Sequence, residues 1–348
     1  MQYRINQRTG DRISEIGLGS AYLFEAGMKE GVHALETAVE GGINFFDLAA
    51  GDGAAFPIYG EALRAVREKV LFQIHFGADY SKGTYGWSLD LETVKRSVDR
   101  QLRELKTDYI DYGFIHCQDE LSDWETYQAN GVLDHLRSLK NAGVVRHIGL
   151  SSHTPQVIQK ILDTGLVDML MFSVNPAYDY QQGEYAFGGV DERAAVYARC
   201  ERDGVGISVM KPFSGGQLLD AKTSPFGVAL TPFQCIRYAL DKPGVLTVLP
   251  GAANAKEIET LLSYYDKTPE ELDYSVIGSF SRGTLWGSAY TAITASPAPS
   301  VWRSGLSTNI TILPALATRL PLSITGRSKK PLRTAFPAGI ATRAAPSA

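Results

Sequence analysis

A histidine stands at the end of an almost wholly apolar run. Residues 109–117, YIDYGFIHC, offer water little on either face, and the polar residues His116, Cys117, Gln118, Asp119 and Glu120 follow at the end of that run. Such a run reads as a strand covered on both sides, and its C-terminal end is where α/β folds gather catalysis. An imidazole delivered there suits proton transfer. Two further stretches suit an anion. Lys211 to Gly216 (KPFSGG) joins a cation to glycines whose backbone can approach phosphate closely. Pro250 to Asn254 (PGAAN) opens a helix-like segment whose first amides favour negative charge. The bland reading of both loops is that the glycines only make turns. Neither G-x-G-x-x-G after the first strand nor G-x-x-x-x-G-K-[ST] occurs, so a nucleotide has to be held by rim loops.

The elements that must position these residues alternate along the chain. Strand-like runs cover Ile13–Gly19, Phe45–Ala49, Val70–Gly77, Tyr109–Cys117, Val145–Ser151, Val167–Val174, Val205–Lys211 and Val245–Pro250. Helix-period segments lie between them, through 31–41, 57–66, 91–105, 124–141, 155–163, 191–203, 231–241 and 254–264. In 91–105 the residues Val94, Val98, Leu102 and Leu105 share one face, with Lys95, Arg96 and Arg100 outside it. Thr154-Pro155 and Thr231-Pro232 mark helix starts, and Gly143, Gly165, Gly204 and Gly244 mark the return to strand. Residues 3–16 read as a hairpin turning at Arg8 to Asp11. Eight βα units predict a (β/α)8 barrel, with an open doubly wound sheet as the structural alternative.

Composition narrows the partners. The chain has 348 residues and a net charge of −4, but residues 281–348 hold no acidic residue and eight basic ones. The first 280 residues therefore carry −12, which excludes attraction to nucleic acid or an anionic membrane surface. Three widely spaced cysteines, Cys117, Cys200 and Cys235, fit a reducing compartment, and no metal-ligand spacing or G-x-S-x-G elbow is present. With no apolar leader and no membrane-length run, the expectation is a cytoplasmic protein.

These stretches together resemble the aldo-keto reductase family. The matching segments are Gly41–Asp47 (GGINFFD), Tyr109–His116, Gly143–Ser152 (GVVRHIGLSS), Lys211–Gly216 and Leu249–Asn254, in family order across residues 1–280. The resemblance implies a (β/α)8 barrel that binds NADP or NAD and moves a hydride between nicotinamide and a carbonyl. It maps the family's catalytic aspartate onto Asp47 and its histidine onto His116. The family's lysine position is taken by His75, and its tyrosine position by Asp52, which leaves Tyr59 as the nearest candidate proton donor. A cationic lysine normally lowers the tyrosine's pKa, and a protonated histidine beside Asp47 does so more weakly. For the cofactor, the resemblance implies Ser151, Ser152, Asn175, Lys211, Pro212, Phe213, Gly215 and Gly216. It adds Pro250, Gly251, Ala252, Ala253 and Asn254 from the last loop. Ala253 stands where a basic residue often meets the 2′-phosphate, which weakens the case for NADP.

The last 68 residues have a different character. Ala289, Ala292, Ala295 and Ala298 are spaced by three before Pro299; Ala335, Ala338, Ala341 and Ala345 precede Pro346. Each alanine follows a residue with a T-ending codon available, so reading one base earlier turns all eight into cysteine. The second run then has the ligand spacing of bacterial-type iron–sulfur proteins. Some relatives in the family carry such a two-cluster module, so 281–348 is expected to be its out-of-frame remnant and disordered. Chance spacing in an alanine-rich tail is the competing reading. As written the tail has no thiolate and can hold no cluster.

The leading expectation is thus an NAD(P)H-dependent oxidoreductase acting on a small carbonyl or quinone-type substrate, with an electron-transfer partner in the intact form. The alternative is a catalytically altered nucleotide-binding barrel that works as a sensor or partner protein, which the changed lysine and tyrosine positions favour.

Overall fold

The computed structural model describes residues 1–279 except 21, 49–52, 83–84 and 184. Strands β1 (Tyr3–Ile5) and β2 (Arg12–Ser14) pair antiparallel, Tyr3 opposite Ser14, as the hairpin pattern predicts. Eight strands follow in one parallel sheet: β3 (Leu18–Gly19), β4 (Phe45–Asp47), β5 (Leu71–Phe76), β8 (Ile110–Ile115), β9 (Val145–Ser151), β10 (Met169–Ser173), β11 (Gly206–Met210) and β12 (Val245–Val248). The sheet closes on itself. Parallel bridges join Ile16 to Val248 and Gly19 to Gly251, and the Gly17 and Gly19 amides donate to the carbonyls of Val248 and Pro250. The eight predicted runs are these strands, and the ring is shut rather than fanned.

Pleating sorts the side chains into two layers. Phe45, Tyr112, Phe114, Met169, Met171 and Leu249 belong to a lumen cluster, while Phe46, Phe72, Ile74, Leu170 and Phe172 face the surrounding helices. Those helices include α1 (Gly27–Glu40), α2 (Ala55–Leu63), α3 (Leu91–Glu104), α4 (Leu121–Ala129), α5 (Val132–Asn141), α6 (Pro155–Leu162), α7 (Pro176–Asp179), α8 (Val190–Asp203), α9 (Pro232–Leu240) and α10 (Ala255–Leu262). On α3 the residues Val94 and Val98 are buried and Asp90 caps the first turn, its carboxylate accepting from the Thr93 amide at 2.8 Å. Thr231 makes a full capping box with Gln234, whereas the Thr154 hydroxyl makes no cap bond.

One expectation needs correction. The helix read through 124–141 is two helices, because Gly131 adopts φ 76° and breaks the turn between α4 and α5. The segment after β5 holds two further short strands. Ala78–Asp79 (β6) and Gly86–Trp87 (β7) form a small antiparallel pair above the barrel. The tail 281–348 lies outside the described residues.

Candidate active site

Four side chains form one hydrogen-bonded chain at the C-terminal mouth. Asp47 ends β4, His75 lies near the end of β5, and His116 follows β8; all three are buried. The pleat puts Asp47 on the lumen side with Phe45, and Gln73 and His75 on the lumen side of β5. His75 Nε2 sits 2.8 Å from Asp47 Oδ1, His75 Nδ1 sits 2.9 Å from His116 Nδ1, and His116 Nε2 sits 2.5 Å from the Tyr85 hydroxyl. Gln73 braces the far end, its Nε2 donating to Asp47 Oδ1 at 2.8 Å while its Oε1 accepts from Ser208 at 3.0 Å. With both rings neutral only one proton order fits. The carboxylate can only accept, so His75 carries its proton on Nε2. His75 Nδ1 then accepts from His116 Nδ1, and His116 Nε2 accepts from the Tyr85 hydroxyl.

The structure brings Asp47, His75 and His116 together and leaves Tyr59 out. Tyr59 lies on α2 with its ring edge-on to Phe46 and Phe72, the outward-facing residues of β4 and β5. It is wholly buried, and its hydroxyl has no hydrogen-bond partner among the described residues. Burial first, then the Asp47 charge, raises its pKa far above the ordinary phenol range. Tyr59 is therefore a packing residue of the helix layer, and the expectation that it donates the proton is corrected. Asp52 lies outside the described residues. The tyrosine at the site is Tyr85, half-buried just before β7. Sequence reasoning missed it because its position depends on the β6–β7 pair. The signal available was a tyrosine-rich segment, Tyr80 to Tyr85, directly after a barrel strand.

Beside this chain lies a second polar cluster that the sequence did not announce. His153 is buried, with Nδ1 3.0 Å from Asp119 Oδ2 and Nε2 3.0 Å from Lys211 Nζ. The ammonium needs a lone pair on Nε2, so His153 is neutral. Burial, then the Lys211 charge, holds its pKa below the ordinary value despite Asp119. Burial opposes the Asp119 charge, yet the field of the adjacent His153, then donation from its ring and amide and from Cys117, outweighs it and keeps the carboxyl below the usual range. Cys117, Asp119 and His153 have donor atoms close enough for a metal ion. Their hydrogen bonds and the ammonium beside the ring make the cluster a brace for Lys211 instead.

The expected cofactor residues line the same mouth, several with their side chains already engaged. Ser151 Oγ accepts from the Cys117 amide at 2.8 Å, and Ser152 Oγ donates to Asp119 at 3.3 Å. Asn175 accepts from the Tyr178 amide at 2.9 Å and donates to the Lys211 carbonyl at 2.8 Å, so both ends of its amide are used. Lys211, Ser214, Gly215 and Gly216 all have positive φ, and a Cβ on either glycine would meet nothing within 4 Å. Pro212 and Phe213 complete that open cradle. In the last loop Pro250 and Gly251 close the barrel against Gly19, and Ala252 and Ala253 are buried. Asn254 caps α10, accepting from the Glu257 amide at 3.0 Å. Carboxylates occupy two of the amides expected to hold an anion: Glu257 accepts from Ala253 at 2.9 Å and Glu30 from Ala255 at 3.2 Å. That end of the site is acidic.

A nicotinamide dinucleotide fits these residues. The backbone cradle at 211–216 faces open space where a pyrophosphate can approach. The buried Ser173 hydroxyl, on the lumen side of the last residue of β10, has no partner among the described residues and is free to meet a polar ring substituent. A concavity of about 1220 Å³ lies elsewhere: a furrow between Arg67, Arg103 and Tyr109 at the opposite end of the strands. No helix among the described residues is long and apolar enough to cross a membrane.

Known proteins share this architecture. The aldo/keto reductase family model matches residues 15–229. An uncharacterized oxidoreductase of Bacillus subtilis, YqkF, is 28% identical over 274 residues, which are 71% of this chain and 85% of that protein. The L-glyceraldehyde 3-phosphate reductase of Escherichia coli K12 is 26% identical over 233 residues, 63% of each chain. Among solved structures, the holo form of the aldo-keto reductase AKR11C1 from Bacillus halodurans superposes with a TM-score of 0.63 at 22% identity, covering 80% of this chain and 95% of that one. An aldo-keto reductase of Klebsiella pneumoniae in complex with NADPH does so with a TM-score of 0.57 at 18% identity, covering 78% and 93%. The chain belongs to the aldo/keto reductase family, and it is an oxidoreductase that works with a nicotinamide cofactor.

Proposed function

We propose that this protein interconverts a small aldehyde or ketone and its alcohol at the barrel mouth, with Asp47, His75 and His116 handling the proton. The observation that carries this is the unbroken Asp47–His75–His116 chain, ordered by a buried carboxylate at one end and reaching the half-buried Tyr85 hydroxyl at the other. When bound, the dihydronicotinamide supplies a hydride to the carbonyl carbon. Lys211 and the 211–216 backbone hold its pyrophosphate, and the buried walls exclude water from the reacting atoms. An intact proton chain speaks against a decayed sensor, since such a site has no reason to keep two coupled imidazoles.

The substrate class follows relatives that are named for small carbonyl compounds, glyceraldehyde 3-phosphate and, in a 31% identical segment covering half of that enzyme, methylglyoxal. For the cofactor, Ala253 offers no cation and the Glu30 and Glu257 carboxylates face the α10 start, which disfavours a 2′-phosphate. NADH is therefore the preferred donor. Titrating nicotinamide fluorescence against the full chain, then assaying glyceraldehyde and methylglyoxal, tests both points. Tighter binding of NADH than NADPH is expected, and Glu30→Gln should tighten NADPH about threefold, the scale of one exposed charge. Preference for NADPH in the unaltered protein would end the cofactor assignment. The barrel at 1–280 is the catalytic unit. The tail at 281–348 is read as a frameshifted remnant of a two-cluster module with an electron-transfer partner. A coding sequence without cysteine codons one base earlier would remove that reading.

A further inference from the structure

We propose that Tyr85 exchanges the proton with the substrate oxygen, and that the occupancy of the Asp47–His75–His116 chain behind it sets the direction of exchange. This rests on the reading of the site as a carbonyl–alcohol oxidoreductase. Tyr85 is the outermost member of the chain, half-buried where the others are buried, with its hydroxyl 2.5 Å from His116 Nε2. It is held from both sides, its ring 6.1 Å from Tyr80 and 5.8 Å from His116. Among the described residues, the groups facing the chain include Asp47 from β4, Gln73 from β5, Ser151 from β9 with Oγ 3.4 Å from His116 Nδ1, and Tyr85 itself. Two other phenols feel the Asp47 charge, Tyr59 and Tyr80. Burial and then that charge raise both far above the ordinary range, so neither competes as a proton exchanger.

The proton order decides what Tyr85 can do. With both rings neutral, its hydrogen points at His116 Nε2. In that state it accepts a proton from an alcohol while passing its own to His116, which is the base needed for oxidation. One added proton reverses the far end. His75 then donates from Nδ1 to His116 Nδ1, His116 donates from Nε2 to the Tyr85 oxygen, and the Tyr85 hydrogen turns toward the substrate. The Asp47 carboxylate balances the extra charge. During reduction the carbonyl π pair moves onto oxygen as the carbon–hydride bond forms, and that oxygen takes the Tyr85 proton. His116 Nε2 refills Tyr85, His75 refills His116 at Nδ1, and the neutral chain remains. Oxidation runs the same transfers backward, so atoms and charge balance in both directions.

The test uses the full chain and the variants Tyr85→Phe and Tyr59→Phe. Glyceraldehyde reduction and glycerol oxidation are followed across pH. Reduction is expected to fall and oxidation to rise as pH increases, with Tyr85→Phe losing roughly 10²- to 10⁴-fold in kcat. Nicotinamide fluorescence should show unchanged nucleotide affinity in that variant. In nucleotide-free protein, the downfield imidazole N–H proton of His116 should shift in Tyr85→Phe. The inference is overturned if Tyr85→Phe keeps wild-type turnover, if Tyr59→Phe takes the loss instead, or if the His116 resonance ignores Tyr85→Phe. A wild-type protein that neither binds nucleotide nor turns over removes the parent reading and this inference together, whereas undiminished Tyr85→Phe in an active enzyme removes the inference alone.

Discussion

Two buried aspartates in this barrel have opposite duties. Asp47 at the C-terminal mouth is bonded to the His75 ring at 2.8 Å and the Gln73 amide at 2.8 Å. Asp111, near the start of β8, meets Arg67 at 2.7 Å, Arg146 at 2.9 Å and the Phe72 amide at 2.9 Å. Arg67 is also locked in place over the rings of Phe72 and Tyr109, 4.1 and 4.0 Å from their centroids. Guanidinium keeps its charge at any working pH, so the Arg67 and Arg146 partners of Asp111 have no proton to exchange and that cluster can only hold elements together. Imidazole gains and loses a proton near neutrality, so the same residue type at Asp47 sits in a chain that can do chemistry. The partner's proton affinity separates the two, because burial is similar, 4% exposed for Asp47 and 0% for Asp111.

That contrast can be broken at three points. Asp111→Ala strands the buried Arg67 charge and should lower unfolding free energy by about 3–5 kcal/mol, read as a drop in denaturant midpoint with kcat of the folded fraction intact. If catalysis falls and stability holds, the two clusters have been assigned the wrong way round. His116→Ala should do the reverse: kcat drops roughly 10²-fold or more while stability changes by about 1–3 kcal/mol, the price of one truncated buried polar group. A stability loss that matches Asp111→Ala would make His116 structural. The smallest effect concerns pH. His153 is buried neutral with its pKa below 6.5. The unfolded chain therefore takes up a proton that the folded one refuses, and stability falls as pH drops below about 6.5, by at most about 1.4 kcal/mol per pH unit. His135 and His147 are lowered for the same leading reason, burial, but are partly exposed and add less. His153→Gln should flatten that slope; an unchanged slope would place the acid sensitivity elsewhere.

Much of this was legible in the chain, and the gaps have physical causes. All eight barrel strands stood out because strands covered on both faces must be mostly apolar, as 109–117 and 167–174 are. Asp47, His75 and His116 were findable because each ends such a run. Tyr59 was chosen for closeness in sequence to Asp47, but helical spacing turned it toward Phe46 on the outer layer. The Lys211–His153–Asp119 brace joins three different βα loops, and nothing local marks residues that meet only across the mouth.

Hydrophobic patterning along the chain was enough to mark eight parallel strands and to set three titratable residues at their ends, because burial and pleat depend on local order. Which hydroxyl completes the proton chain was decided by tertiary packing alone. Tyr85 reaches His116 because it directly precedes Gly86–Trp87, a strand that folds back to pair with Ala78–Asp79 just beyond β5. A contact of 2.5 Å between residues 31 positions apart is a property of closed geometry, which no single stretch of sequence contains.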